Sequence, residues 1–222
     1  MPIPDPRYGA GSLFARPPAA GALAYNPGMD MKSPSRLDLR ARRRDILPRE
    51  RMAAGEAVAE RLTRLHVELG PGHVAGYWAM DGELPLHAWQ LTLPPGLVYC
   101  LPVLDEPSMA LKFAPWRPGD PLVANRYRIP EPVADPARLL EATEMSLIAL
   151  PLTGFDKDCR RMGMGGGWYD RTLAFRLERQ APPLLVGIGF DSQECPNVPA
   201  HPWDVPCDAI VTETRTLFRP IT

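Results

Sequence analysis

The chain has 222 residues, a length that suits one domain with a substantial core. Its 25 Lys and Arg nearly balance its 26 Asp and Glu, so no overall field draws it onto nucleic acid or an anionic membrane, and any basic patch must be local. Four cysteines without C-x-x-C spacing, and the lack of a membrane span or signal peptide in the sequence, predict a soluble cytoplasmic protein with reduced thiols.

Residues 1–32 are rich in Pro, Gly and Ala, and their apolar residues show no periodicity. Such a composition buries too little apolar surface to fold. We therefore expect a disordered extension over residues 1–32, followed by one folded domain over residues 33–222.

A basic helix is predicted at the start of the folded domain. Ser35 can cap it, and Arg36, Arg40 and Arg44 recur on one face at intervals of four residues. Like charges at this spacing repel, so they indicate either an anionic partner or a solvated basic face. The residues alone favour the solvated face.

A second helix is predicted between Pro48 and Leu69, because apolar residues recur there every three to four positions. Residues 73–78 then form a predicted strand. A turn at residues 81–82 would place Glu83 at the start of the next helical segment, just past the carboxyl end of that strand. Ligands bind at this edge of open α/β sheets, although a charge in the first turn of a helix is the simpler interpretation of Glu83.

Further strands are predicted at residues 97–101 and 111–113, followed by an extended connection over residues 125–132. Residues 184–190 form the longest apolar run and predict a central parallel strand, and residues 209–212 predict the last strand. Strands that alternate with helices predict an α/β protein. We expect a single-domain, three-layer Rossmann-like fold in which helices flank a mostly parallel sheet.

The most informative stretch is a glycine loop, residues 163–167, of which four are glycine. It lies between an apolar strand at residues 147–150 and a segment of helical spacing that begins near Tyr169. Glycines leave backbone N–H groups free to converge on one point, and the start of a helix adds unpaired N–H groups and a positive dipole end. The arrangement predicts an anion site, and phosphate is the usual anion.

Two further observations qualify this prediction. Arg161, just before the glycines, offers a planar fork suited to phosphate oxygens. Neither common phosphate fingerprint fits, however, because the spacing is not G-x-x-x-x-G-K-[ST] and Trp168 stands where G-x-G-x-x-G would end. A flexible glycine turn is therefore the alternative.

The residues from Asp156 to Arg171 read D-x-x-x-x-R-M-G-x-G-x-G-W-Y-D-R. This pattern closely resembles the signature of the 5-formyltetrahydrofolate cyclo-ligases, also called methenyltetrahydrofolate synthetases. The resemblance implies an enzyme that uses ATP and Mg²⁺ to close 5-formyltetrahydrofolate to 5,10-methenyltetrahydrofolate. The sequence departs from the family at Cys159, where glycine is common, and at Gly166, where some members have lysine.

The resemblance also implies roles for individual residues. Those that would contact ATP are Arg36, Arg40, Gly163, Met164, Gly165, Gly166, Gly167 and Trp168. Arg161 and Tyr169 would act in catalysis, and Asp170 and Asp204 would hold Mg²⁺. Trp78, Glu83 and Tyr127 would contact the folate, although an ordinary packed loop would equally explain Tyr127.

A carboxylate beside a bound triphosphate needs an explanation. Asp170 gains only about 0.3–1 kcal/mol from the start of a helix. Two like unit charges 4 Å apart repel by about 4 kcal/mol at an effective dielectric constant near 20. Asp170 must therefore face away from the phosphates or share a divalent cation with them, and Mg²⁺ is often held by one or two carboxylates together with phosphate oxygens.

Two other classes of function compete with the enzyme. One is a nucleotide-binding regulatory protein that kept the anion site but lost the chemistry. The other is a nucleic-acid-binding protein that uses the basic cluster at residues 36–51, which the near-zero net charge and the lack of a binding motif disfavour. We expect a monomer that binds small molecules and neither nucleic acid nor membranes.

Overall fold

The computed structural model describes residues 34–66 and 70–220, except for the side chain of His66. The expected extension at residues 1–32 lies outside these residues, as does Leu69 at the end of the predicted second helix. In the part of the chain that is described, no helix combines the length and apolar character that a membrane crossing requires.

The described residues form four α-helices and eleven strands. The helices are α1 (Arg36–Asp45), α2 (Pro48–His66), α3 (His87–Leu91) and α4 (Trp168–Thr172). The strands are β1 (Gly72–Ala75), β2 (Leu97–Asp105), β3 (Ala110–Pro115), β4 (Leu122–Ala124), β5 (Pro130–Pro132), β6 (Met145–Pro151), β7 (Gly154–Phe155), β8 (Arg161–Met162), β9 (Leu184–Ile188), β10 (Ala209–Val211) and β11 (Thr216–Phe218).

Seven strands form the main sheet in the order β11-β10-β9-β6-β1-β2-β3. The five central strands run parallel, while β3 and β11 pair antiparallel at the two edges. The predicted α/β class with a mostly parallel sheet is confirmed.

Strand β6 shows why the sheet is covered on both faces. Leu147 and Ala149 pack in a cluster with the α2 residues Val58 and Leu62, whereas Ile148 and Leu150 pack in a second cluster on the opposite face. Successive side chains of a strand point to opposite faces, so an unbroken apolar run requires cover on both. The layers predicted from the sequence follow from this pattern.

Helix α1 is fixed at both its start and its inner face. The Ser35 hydroxyl accepts a hydrogen bond from the Asp38 N–H, and the Asp38 carboxylate accepts one from the Ser35 N–H, which confirms the predicted cap. Leu39 is fully buried near Cys195. It also abuts Gly154, where a Cβ would come within 2.7 Å of Leu39. These contacts hold α1 against the segments that follow β6 and β9.

Several predicted elements differ from the observed ones. Residues 125–132 are not a plain extended connection, because β4 and β5 form an antiparallel hairpin around them. The apolar run at residues 184–190 forms β9, which is parallel to both of its neighbours as predicted but ends at Ile188, while the longest strand is β2, with nine residues. Strand β1 ends at Ala75 rather than Trp78.

The sheet contains a switch in direction. From β1 the chain proceeds to β2 on one side, and it later returns to β6 on the other side of β1. In open α/β sheets such a switch leaves a crevice beyond the carboxyl ends of the strands. The segments that leave β1 and β6 therefore begin at the same crevice.

Candidate active site

A cleft of about 1490 Å³ lies at this crevice. Its walls come from α1, the segment after β1, the β4–β5 hairpin, the glycine loop with α4, and residues 198–204. All the site residues predicted from the sequence line it except Arg40. The topology thus brings together residues that are widely separated along the chain.

The glycine loop is held by its carbonyl groups. Arg36 Nε donates to the Gly163 carbonyl at 3.0 Å, and Arg171 Nη2 donates to the Gly166 carbonyl at 2.8 Å. Gly165 and Gly167 have φ values of 95° and 67°, in the left-handed region that favours glycine. In the described part of the chain, no acceptor is found for the backbone N–H groups of residues 163–167. The loop therefore offers donors to an anion.

The helix after the loop is shorter than expected. Helix α4 has only five residues, and a 3₁₀ turn continues it from Ala174 to Leu177. So short a helix sums few peptide dipoles, and the positive end expected from the sequence contributes little. The free N–H groups and arginines must supply most of the attraction for an anion.

Arg161 and Asp170 form an ion pair at the cleft, with 2.5 Å between Arg161 Nη2 and Asp170 Oδ1. The Val205 carbonyl also accepts from Arg161, and the Val205 N–H donates to Asp170 at 3.3 Å. Arg161 is therefore not a free cation. The sequence alone offered two ways to avoid repulsion between Asp170 and a bound phosphate: a carboxylate that faces away, or a shared cation. The ion pair is a third way, because Arg161 already balances the charge of Asp170.

Asp204 lies one residue from Val205, and its carboxylate accepts from the His201 N–H at 2.8 Å. Within residues 34–66 and 70–220 there is no group of three or more His, Cys, Asp or Glu side chains placed to hold a metal ion. Asp170 and Asp204 are two carboxylates, too few to fill the six positions around Mg²⁺, and phosphate oxygens or water would have to complete the coordination.

Arg40 lies behind the wall of the cleft, paired with Asp81 at 2.8 Å. Asp81 also binds Arg43, at 3.0 Å, and Arg44. Burial opposes the ionisation of Asp81, but hydrogen bonds from Arg44 and Arg40 outweigh it and lower the pKa of this carboxyl. The predicted basic face is thus neither simply solvated nor wholly free for an anion, since the Asp81 carboxylate binds two of its three arginines, Arg40 and Arg44.

Glu83 lies in the loop between β1 and α3, and not in the first turn of that helix. Its side chain is 12% exposed. Glu83 Oε2 accepts from the Met80 N–H at 3.0 Å, and Oε1 lies 3.6 Å from Arg43 Nη1. Burial raises the pKa of Glu83, while the Met80 N–H and Arg43 oppose the rise. Trp78 stands in the same wall, edge-on to Trp116 at 5.8 Å.

The tip of the β4–β5 hairpin meets the glycine loop. Tyr127 and Trp168 have ring centroids 6.3 Å apart in an edge-to-face arrangement. The Arg126 guanidinium lies over both rings, at 4.9 Å and 5.4 Å. The hairpin therefore brings Tyr127 to the glycine loop. Arg126 also takes part in this contact, although it was not predicted from the sequence as a site residue.

Tyr169 is held as a neutral phenol. Burial raises its pKa, and the charge of Glu83 raises it further while Arg161 opposes the rise. A phenol that stays protonated can donate a hydrogen bond but cannot act as a base. The structure thus limits the chemistry available to one of the two predicted catalytic residues.

Asp156 positions the turn that leads to Arg161. Its carboxylate is almost fully buried and accepts from the backbone N–H groups of Asp158, Arg160 and Val198. Within this turn Cys159 has a φ of 58°. Glycine adopts that conformation without cost, which explains physically why a glycine suits this position.

A model of the 5-formyltetrahydrofolate cyclo-ligase family matches residues 29–213. The 5-formyltetrahydrofolate cyclo-ligase of Escherichia coli K12 is 34% identical over 180 residues, covering 80% of this chain and 97% of that protein. The 5-formyltetrahydrofolate cyclo-ligase of Haemophilus influenzae is 32% identical over 174 residues, which cover 77% of this chain and 91% of that protein. The NMR structure of Aquifex aeolicus 5,10-methenyltetrahydrofolate synthetase is similar, with a TM-score of 0.69 and 26% sequence identity. The match covers 82% of this chain and 90% of that one.

The geometry of the glycine loop predicts unequal effects of two substitutions. Gly167→Ala should lower the free energy of unfolding by about 1–2 kcal/mol, because a side chain at a φ of 67° is strained. Its Cβ would also lie 2.7 Å from Arg171 Nη1. Gly163→Ala is the control, since a Cβ there meets nothing within 4 Å. Denaturant unfolding of both variants measures the difference, and equal stabilities would contradict this description of the loop.

Proposed function

Because this chain belongs to the 5-formyltetrahydrofolate cyclo-ligase family, we infer that it uses ATP to convert 5-formyltetrahydrofolate to 5,10-methenyltetrahydrofolate, releasing ADP and phosphate. The observation that carries this proposal is one cleft that joins a loop of free N–H groups to a largely buried carboxylate, Glu83, and aromatic walls. A nucleotide and a reduced folate need these two kinds of surface side by side.

The reaction requires positioning and charge balance more than acid or base groups. The formyl oxygen attacks the terminal phosphorus of ATP, and the bond from that phosphorus to ADP breaks. N10 of the folate then adds to the activated formyl carbon and loses its proton. The carbon–oxygen bond breaks last, and the oxygen leaves as part of phosphate.

We assign the phosphates of ATP to the glycine loop and to α1. The N–H groups of residues 163–167 would bind phosphate oxygens, with Met164 and Trp168 beside them. Arg36 is exposed and already bonded to the loop through Nε. Arg40 uses Nε for Asp81, and no described residue accepts from its two terminal nitrogens. Both arginines therefore retain donors for an anion, but only Arg36 lines the cleft, and Arg40 would have to reach a phosphate from behind the wall.

We assign Mg²⁺ to Asp170 and Asp204, which both line the cleft. Mg²⁺ would supply positive charge to the phosphate oxygens as charge shifts toward ADP. Arg161, paired with Asp170, would hold that carboxylate in place and add its own charge to the transferring phosphoryl group. All of these residues come from one chain, so we propose that a monomer contains a complete site.

We assign the pterin end of the folate to Glu83, with Trp78 and Tyr127 as apolar walls. A carboxylate accepts hydrogen bonds from ring N–H and amino groups, and an aromatic wall covers a flat ring. Tyr169 remains protonated and would donate to the folate or to the formyl oxygen, so its role is orientation and not proton removal.

The proposed activity is tested directly by mixing the purified protein with 5-formyltetrahydrofolate, ATP and Mg²⁺ and following the absorbance of methenyltetrahydrofolate. We expect turnover that requires both substrates and stops when the metal is chelated. ATP binding without turnover would instead favour the regulatory protein that kept the anion site. A nucleotide analogue with a non-transferable terminal phosphate serves as the control for chemistry.

Glu83→Gln should raise the KM for 5-formyltetrahydrofolate about tenfold or more, because a hydrogen bond to a charged group contributes about 1.5–3 kcal/mol. The KM for ATP should change less than about twofold. Steady-state kinetics with each substrate varied in turn measures both constants. Glu60→Gln, on the exposed side of α2, is the charge-matched control. A larger effect on ATP than on folate would mean that the two subsites are exchanged.

Asp170→Asn should lower kcat at least about tenfold and raise the Mg²⁺ concentration needed for half-maximal rate, since a neutral amide is a poor ligand for Mg²⁺. Asp208→Asn is the matched control, because Asp208 forms a similar pair with Arg176 but does not line the cleft. Kinetics equal to those of the unsubstituted protein at all Mg²⁺ concentrations would remove Asp170 from the metal site.

A further inference from the structure

Arg43 differs from the arginines beside it. Arg42 and Arg44 are exposed, whereas Arg43 is fully buried. Burial of a guanidinium costs several kcal/mol unless its donors and its charge are matched. Leu39 lies one turn earlier on the same face of α1 and is buried as an apolar side chain, so packing of this face does not by itself require a cation. The buried charge of Arg43 therefore needs a reason.

The donors of Arg43 reach two segments of the chain. Nε donates to the Asp81 carbonyl at 3.0 Å, and Nη2 donates to the Asp81 carboxylate at 3.0 Å. Nη1 donates to the Leu152 carbonyl at 3.3 Å and lies 3.6 Å from Glu83 Oε1. Asp81 and Glu83 follow β1, and Leu152 follows β6. One side chain thus connects α1 with both segments that leave the crevice.

The two carboxylates depend on Arg43 to different degrees. Asp81 also binds Arg40 and Arg44, so it would keep two cationic partners without Arg43. For Glu83, Arg43 is the one ion-pair partner among the described residues. The loss of Arg43 would therefore leave Glu83 as a buried carboxylate beside the charge of Asp81, supported by a single backbone N–H.

We propose that Arg43 is a positioning residue for folate recognition, which fixes the carboxylate of Glu83 and joins it to the helix that carries Arg36 and Arg40. This inference rests on the proposed contact of Glu83 with the pterin ring. Arg43 lies behind that carboxylate and does not line the cleft, so it acts through Glu83 and not on the substrate.

The electrostatics agree with this geometry. Burial raises the pKa of Glu83, Asp81 raises it as well, and the Met80 N–H, Arg43 and Arg40 oppose the rise. The remaining titratable neighbours, Tyr77 and Tyr169, have raised pKa values and are neutral. Removal of Arg43 should raise the pKa of Glu83 further. As the pH falls, the carboxyl would then take up a proton at a higher pH than in the unsubstituted protein. Folate binding would accordingly begin to weaken at a higher pH.

A double-mutant cycle on the full chain tests the proposal. Arg43→Gln should raise the KM for 5-formyltetrahydrofolate about tenfold and change the KM for ATP less than about twofold. In Glu83→Gln the further change Arg43→Gln should have less than about a twofold effect, because the group that it positions is already neutral. Arg44→Gln is the control: it removes another arginine from Asp81 and should leave both constants unchanged.

Two further measurements separate positioning from a purely structural role. Arg43→Lys keeps the charge and should recover most of the folate affinity. In Arg43→Gln the pH below which the folate KM rises should move upward. If Arg43→Gln does not fold, the cycle is run with Arg43→Lys, whose smaller effect should again disappear in Glu83→Gln.

The outcomes distinguish this inference from the proposed function. The role of Arg43 would be overturned if the effects of Arg43→Gln and Glu83→Gln on the folate KM simply multiplied in the double variant. It would also be overturned if Arg43→Gln raised the KM for folate and the KM for ATP equally. Either result would leave Glu83 in the folate site. An unchanged folate KM in Glu83→Gln would instead refute the contact of Glu83 with folate, and the inference with it. Turnover in the basic assay remains a separate test of the enzyme.

Discussion

The site depends on the way the chain leaves two neighbouring parallel strands, β1 and β6. The connections run to opposite sides of the sheet, so neither covers the ends of these strands, and a crevice stays open between them. The first connection carries Glu83 and Trp78, and the second leads to the glycine loop. Helix α1 is anchored beside the crevice through Leu39 and Arg43 and places Arg36 next to the loop. The order of strands therefore determines which chemical groups meet.

Several of the charged side chains at the site are arranged in pairs. Two unit charges 4 Å apart contribute about 4 kcal/mol at an effective dielectric constant near 20, whether the interaction attracts or repels. Unbalanced acids would therefore weaken the binding of a nucleotide appreciably. Arg161 balances Asp170, and three arginines surround Asp81. The charges of Asp170 and Asp81 are consequently balanced within the protein and oppose a bound phosphate less than free carboxylates would.

The local features of this structure and its α/β class could be predicted from the sequence, but several individual long-range contacts could not. The Ser35 cap, the buried strand β6 and the glycine loop depend on neighbouring residues and were predicted correctly. The β4–β5 hairpin was missed because its strands have three residues each and β5 is mostly proline, which gives no period to detect. The burial of Arg43 was missed because a run of arginines predicts a solvated face, and the partners of this one lie 38 to 109 residues away.

The hairpin over the glycine loop has a firm base and a weakly attached tip. Glu131 accepts from the Leu104 N–H of β2 and from the Asn125 amide, which ties the base to the main sheet and braces the turn. The tip touches the loop through Tyr127, Trp168 and Arg126, in contacts that contribute only about 0.5–1.5 kcal/mol each. Thermal fluctuations can separate contacts of this size while the braced turn keeps its shape. Because these contacts join side chains only and β4 and β5 pair with each other, loss of the tip contacts would leave every strand of the seven-stranded sheet paired.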